Sequence, residues 1–150
     1  MTKYDVPIPE KGELVQLAED VYWARFDLPF RLNHINLYLL DAGDSWIIVD
    51  TGLNNEETAE HWDALLKGPL SGKPVSKLIA SHHHVDHIGY AGKLVELTGA
   101  EPFTSAPEIA IGTWLMEMNG DDFGDRLGAR YYSFGMDEES VAVGKNDRER

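Results

Sequence analysis

The chain has 150 residues, 43% hydrophobic and 10% aromatic, enough for one ordinary globular domain with a real core and little more. Thirteen Lys and Arg against 26 Asp and Glu leave a formal charge of −13, which lacks the basic footprint a phosphate backbone needs and argues against a nucleic-acid partner. No apolar run reaches the roughly 18 to 20 residues of a bilayer span, Met1-Thr2-Lys3-Tyr4-Asp5 lacks the apolar core of a secretory signal, and without cysteine there is no disulfide framework or thiolate metal site, so the expectation is a cytoplasmic protein with no membrane partner.

Residues 13 to 26 read as two strands. Leu14, Val15 and Leu17 lead to a turn at Glu19-Asp20, and Val21 to Phe26 is rich in β-formers. Pro29 breaks the pattern within 27 to 34, leaving Leu28 and Phe30 as candidate core residues and His34 as a hydrogen-bonded structural histidine. Strands at Ile35 to Leu40 and Trp46 to Val49 are joined by Asp41-Ala42-Gly43-Asp44-Ser45, which has hairpin chemistry, so an antiparallel meander is expected at one edge of a sheet.

A first helix is predicted with Asn54 as its cap, Glu57 in the capping-box position and Gly68-Pro69 as its stop. Thr58, Trp62, Leu65 and Leu66 form its buried stripe, and His61 falls on the more polar face as a surface histidine. A strand at Pro74 to Ala80 follows. The second helix, Ile88 to Thr98, turns Ile88, Ala91, Leu94, Val95 and Thr98 inward and stops at Gly99; Gly89 and Gly92 cost helix propensity but allow close approach to the sheet. Residues 100 to 104 add a strand. Ser105-Ala106-Pro107-Glu108 is a capping box opening a third helix with Ile111, Trp114, Leu115 and Met118 on one face and a stop at Asn119-Gly120. Phe123, Leu127, Tyr131 and Phe134 recur at helical spacing within 121 to 150, a helical extension ending in a charged tail.

Between the fifth predicted strand and the second helix lies Ser81-His82-His83-His84-Val85-Asp86-His87-Ile88-Gly89, which puts four of the six histidines and one carboxylate within six residues. Imidazole and carboxylate are the donors that zinc, iron and manganese accept. In an extended segment His82 and His84 share a side while His83 faces away. A turn into helix then brings Asp86 and His87 to a neighbouring position, so the loop can hold two metals, one on His82 and His84, the other on Asp86 and His87. A strand end feeding a helix start is where open α/β sheets place ligands.

These residues resemble the first metal motif of the metallo-β-lactamase superfamily, Thr-His-x-His-x-Asp-His-x-Gly, with Ser81 in place of Thr. A second family mark, Asp-Thr-Gly after an apolar strand, stands here as Asp50-Thr51-Gly52 behind Trp46 to Val49. The resemblance covers roughly residues 13 to 118 and points to the group of small metallo-hydrolases. It implies an α/β fold: the N-terminal half of an αββα sandwich, a mostly antiparallel or mixed sheet with flanking helices, as a single domain over residues 1–150. It also implies that Asp50 braces the metal loop without touching metal, against the plainer reading of a turn aspartate beside Gly52, and that the loop at Leu28 and Phe30 forms an apolar lip.

Complete members of the superfamily provide later histidines and a bridging aspartate. No histidine occurs in the 63 residues after His87, and Asp121, Asp122, Asp125 and Asp137 lack a strand-end setting. The chain therefore reads as an incomplete domain, with an exposed sheet face through which it can self-associate. The resemblance implies a hydrolase with two zinc ions activating a hydroxide against an ester, thioester, lactone or amide bond of a small-molecule substrate, with Asp86 also orienting the nucleophile. Iron or manganese in place of zinc, a mononuclear iron oxidoreductase, and a non-catalytic metal-binding or interaction module stay open as alternatives.

Overall fold

The computed structural model describes residues 6–117, together with 128–129, 132–133, 135–139 and 141–142; the expected helix stop at Asn119-Gly120 and the pattern through Phe123, Leu127, Tyr131 and Phe134 lie outside the described residues. The chain divides into two compact units, Met1–Ile109 and Ala110–Arg150. The first unit holds a six-stranded sheet whose strands lie in chain order: β1 (Val15–Ala18), β2 (Val21–Asp27), β3 (His34–Asp41), β4 (Trp46–Val49), β5 (Val75–Ile79) and β6 (Glu101–Phe103). Antiparallel pairing runs from β1 through β4, and the β4–β5 and β5–β6 pairings are parallel. The sheet is mixed, as expected.

The change of direction follows from the connections. Tight turns at Asp20 (φ 60°) and Gly43 (φ 87°) join β1 to β2 and β3 to β4, a short loop over residues 28–33 joins β2 to β3, and connections this short give antiparallel neighbours. Parallel neighbours need longer crossovers. These are α1 (Glu56–Lys67) between β4 and β5, and α2 (Val85–Ile88) with α3 (Ala91–Thr98) between β5 and β6. A last helix, α4 (Ala106–Glu117), follows β6. Among the described residues no helix is long and apolar enough to cross a membrane.

Alternation along the strands separates two faces. Tyr22, Leu39, Ile48 and Leu78 stand in one cross-strand row on the inner face, in a core joined by Trp62 and Leu65 of α1 and Leu94 of α3. The adjacent row on the other face crosses all six strands: Val15, Trp23, Tyr38, Val49, Ile79 and Phe103. It is apolar but half open, with Tyr38 40% and Phe103 41% exposed.

Three local expectations are corrected. The cap of α1 is Asn55, not Asn54: the Asn55 side chain accepts from Thr58 N at 2.8 Å, so Glu57 stands one position early for a capping box. His61 is buried, not on the surface; at 5% exposure it stacks on Phe26 with ring centroids 4.4 Å apart. The helix expected from Ile88 to Thr98 is two helices. It begins earlier, at Val85, and breaks at Tyr90 (φ −94°, ψ 3°), whose N–H turns aside to Gly52 O. Of the two glycines in that stretch only Gly89 serves close approach, since a Cβ there would meet Asn54 N at 3.0 Å and Gly52 O at 3.1 Å, while one on Gly92 would meet nothing within 4 Å.

Candidate metal centre

β4 and β5 are parallel neighbours, so their carboxyl ends lie side by side and deliver Asp50 and Ser81 to the same place. Asp50 N donates to Ile79 O at 2.8 Å, and the residue then adopts φ 65°, a left-handed conformation that Asp tolerates better than most side chains. That turn aims its carboxylate across to the motif. Oδ1 accepts from Ser81 N at 2.7 Å; Oδ2 accepts from Ser81 Oγ at 2.8 Å and from His87 Nδ1 at 2.8 Å. Asp50 is 5% exposed.

These bonds assign the ring protons. A carboxylate only accepts, so Nδ1 of His87 carries a hydrogen, which in the neutral tautomer leaves the lone pair on Nε2. Ser81 has one hydroxyl proton, given to Asp50, so its oxygen accepts from His82 Nδ1 at 3.0 Å and Nε2 of His82 is likewise free to bind. Serine in place of the family's threonine retains the hydroxyl on which this relay depends.

A second clasp holds the far end of the loop. Thr51, fully buried, donates from both N and Oγ1 to His87 O, at 2.8 and 2.9 Å. Its own carbonyl accepts from Trp62 Nε1 at 2.7 Å, tying the loop to α1. Backbone hydrogen bonds to buried, mutually satisfied partners hold the donors within a narrow range of positions.

The four candidate ligand residues lie close together. His82, in a bend, and His84, on extended backbone, have ring centroids 4.5 Å apart. Asp86 and His87 fall in the first turn of α2, with Asp86 Oδ2 3.6 Å from His87 Nε2. The His82 and His87 rings lie 3.9 Å apart, so the pairs adjoin. His84 is exposed, yet partial desolvation and then the neighbouring imidazoles of His82 and His83 lower its pKa from the usual histidine value, which favours the neutral form. The set fits a divalent cation: neutral imidazoles with oriented lone pairs beside a carboxylate.

The His83 ring lies 5.0 Å from that of His84, and its polar atoms are engaged elsewhere. Its N and Nδ1 both reach Glu108 Oε2, at 2.8 and 2.6 Å. Glu108 was the expected capping-box carboxylate of the third helix; its oxygen serves His83 instead, and hydrogen bonding from the His83 ring holds its pKa below the usual glutamate range. Phe30 and Leu32 are 50% and 64% exposed whereas Leu28 is buried, so the loop offers both an anchor and an open apolar edge. His34 bonds Asn33 Oδ1 at 2.9 Å through Nδ1.

Residues 31–147 match the metallo-beta-lactamase superfamily. The chain belongs to that superfamily. It is 30% identical over 113 residues to the probable metallo-hydrolase YybB of Bacillus subtilis (strain 168), with 64% of this chain and 49% of that protein covered. Its structure is similar to that of a beta-lactamase domain protein from Burkholderia ambifaria, at 32% identity and a TM-score of 0.71, covering 83% of this chain and 41% of that one. A metallo beta lactamase from Hirschia baltica gives 29% identity and a TM-score of 0.55 over 67% of this chain and 46% of that one. The chain spans about half the length of these relatives.

As a metallo-beta-lactamase superfamily member the chain shares a fold whose proteins bind metal ions. Sequence reasoning overlooked Thr51 as a clasp and Glu108 as the partner of His83. The first was signalled by its place between Asp50 and Gly52; nothing in sequence order signals the second, which depends on two segments 25 residues apart meeting in space.

Proposed function

We propose that this chain holds the first metal-ligand set of a metallo-hydrolase acting on an ester, thioester, lactone or amide bond of a small molecule. The observation that supports it most is the triple use of Asp50, which orients His87 directly and His82 through Ser81 so that both Nε2 atoms are presented for ligation. His82 and His84 hold one ion, Asp86 and His87 the other, with zinc the best match to imidazole and carboxylate donors. Metal bound there supplies Lewis acidity toward water and toward a substrate carbonyl oxygen. Asp86, 19% exposed at its side chain, also accepts a hydrogen bond from the attacking water and orients it, a role its partial exposure supports. The apolar edge at Phe30 and Leu32 gives a small organic substrate a surface to lie against.

The half-open row from Val15 to Phe103 also belongs to this reading, as a face through which copies associate; sedimentation velocity across a concentration series reads it directly. The decisive experiment for the chemistry is a zinc-loaded assay on an activated ester and a lactone beside His84→Ala and Asp86→Ala. Turnover lost in both variants supports the hydrolase. Zinc binding with turnover indifferent to His84→Ala overturns it, and oxygen consumption by the iron-loaded protein without hydrolysis would make it an oxidoreductase.

A further inference from the structure

A second group of ligand-type side chains uses none of the motif's residues. Glu57 and His61 stand four apart on α1 and so share one helical face. Asp27, the last residue of β2, completes the group: one donor atom from each of the three lies within 4.8 Å of the others. Among the described residues this is the set that gathers three such donors so closely, whereas the motif arranges its donors in pairs.

His61 supplies an independent observation. Its side chain is buried against Phe26, and its Nδ1, shut away from solvent, has no hydrogen-bond partner. A buried imidazole with an unmatched nitrogen is a group whose surroundings are incomplete. The residue borders a cavity of about 360 Å³ that Asp27 and Glu57 also line, with Lys11 and Arg25. Lys11 is ion-paired with Glu60, which offsets its charge. Burial, reinforced by Lys11, lowers the His61 pKa, so near neutral pH the ring has a lone pair to offer.

We propose that Asp27, Glu57 and His61 form a second metal site, for a divalent transition cation such as zinc or manganese. One imidazole and two carboxylates are three protein ligands, leaving a remaining position to water. Donors about 2.1 Å from a tetrahedral metal lie about 3.4 Å from one another. The gap from the 4.8 Å limit closes by rotation of Asp27 and Glu57, both exposed, toward a histidine held still by its stack on Phe26. The i,i+4 pair from one helix and the third donor from a strand end fix the site on regular elements.

The test separates this site from the motif. In a His84→Ala/Asp86→Ala background, which takes one ligand from each pair of the motif, calorimetric titration with zinc is expected to leave one bound equivalent per chain. Asp27→Asn and Glu57→Gln, each added to that background, should weaken it at least tenfold with an unchanged circular-dichroism spectrum. The two exposed carboxylates bear the test because His61→Gln also removes the Phe26 stack. In ¹⁵N-labelled protein the His61 imidazole resonances should move on zinc addition. Zinc binding that ignores both carboxylate substitutions, His61 resonances that stay in place, or no residual binding in the background variant would overturn the proposal. Failure here leaves the motif's zinc binding intact, so it is distinguishable from failure of the hydrolase reading.

Discussion

Asp50 Oδ2 lies 2.8 Å from His87 Nδ1 across 37 residues of sequence, and the same carboxylate holds the backbone and hydroxyl of Ser81. One buried acid therefore sets the ring orientation of two histidines of the motif. Asp50→Asn retains a residue that tolerates φ 65° but replaces one accepting oxygen with a donor. Zinc affinity should fall about 10- to 100-fold with folding intact. Calorimetry and circular dichroism decide; unchanged affinity would leave Asp50 a plain turn residue.

The histidines of the motif are not equivalent. His84→Ala or Asp86→Ala should remove most zinc binding at the motif, since each takes away half of a pair. His83→Ala should leave affinity within about threefold, because the His83 ring is committed to Glu108. Its effect should appear instead as faster amide exchange at residues 81 to 84, whose anchor to Glu108 is reduced. Equal losses of zinc at positions 83 and 84 would sink the pairing.

Two nearby glycines predict opposite signs. Gly89→Ala puts a methyl against the backbone of Asn54 and Gly52, so the first turn of α2 must shift and both stability and zinc affinity should drop. Gly92→Ala, in open space near the start of α3, should stabilise by up to about 1 kcal/mol through helix propensity and a less disordered unfolded chain. Urea unfolding of the two variants checks both signs.

Acid should weaken the fold through His61. Burial lowers its pKa in the folded state, so below about 6.5 the unfolded chain binds the proton that the native state resists. Stability then rises with pH through this window and falls as pH drops below it. In metal-free buffer the stability gap between wild type and His61→Gln should shrink between pH 7.5 and 5. A gap that does not change with pH would mean the ring is protonated in place.

Much of this was legible in sequence because it rests on short-range pattern. Alternation in Val21 to Phe26 and Ile35 to Leu40 announces strands, and the spacing of His82, His84, Asp86 and His87 announces that their side chains gather at one place. What escaped depends on partners remote in the chain. His61 sits on a face that is polar by sequence, and only the arrival of Phe26 from β2 buries it. Ser105-x-x-Glu108 matches a capping box, yet the carboxylate finds a histidine from another segment. Asn54 and Asn55 are chemically identical caps, and the one chosen is set by where β4 releases the chain, with Asn55 N turned back to Leu53 O.

The Thr51 clasp carries a consequence for the order of events during synthesis. Thr51 bonds His87, Tyr90 and Trp62, and Asp50 bonds Ser81 and His87, so these contacts close between residues 50 and 90. All of these partners lie between the end of β4 and the start of α3 in the chain. A ribosome that has released residue 90 has therefore released everything these contacts need, before β6 and α4 are made.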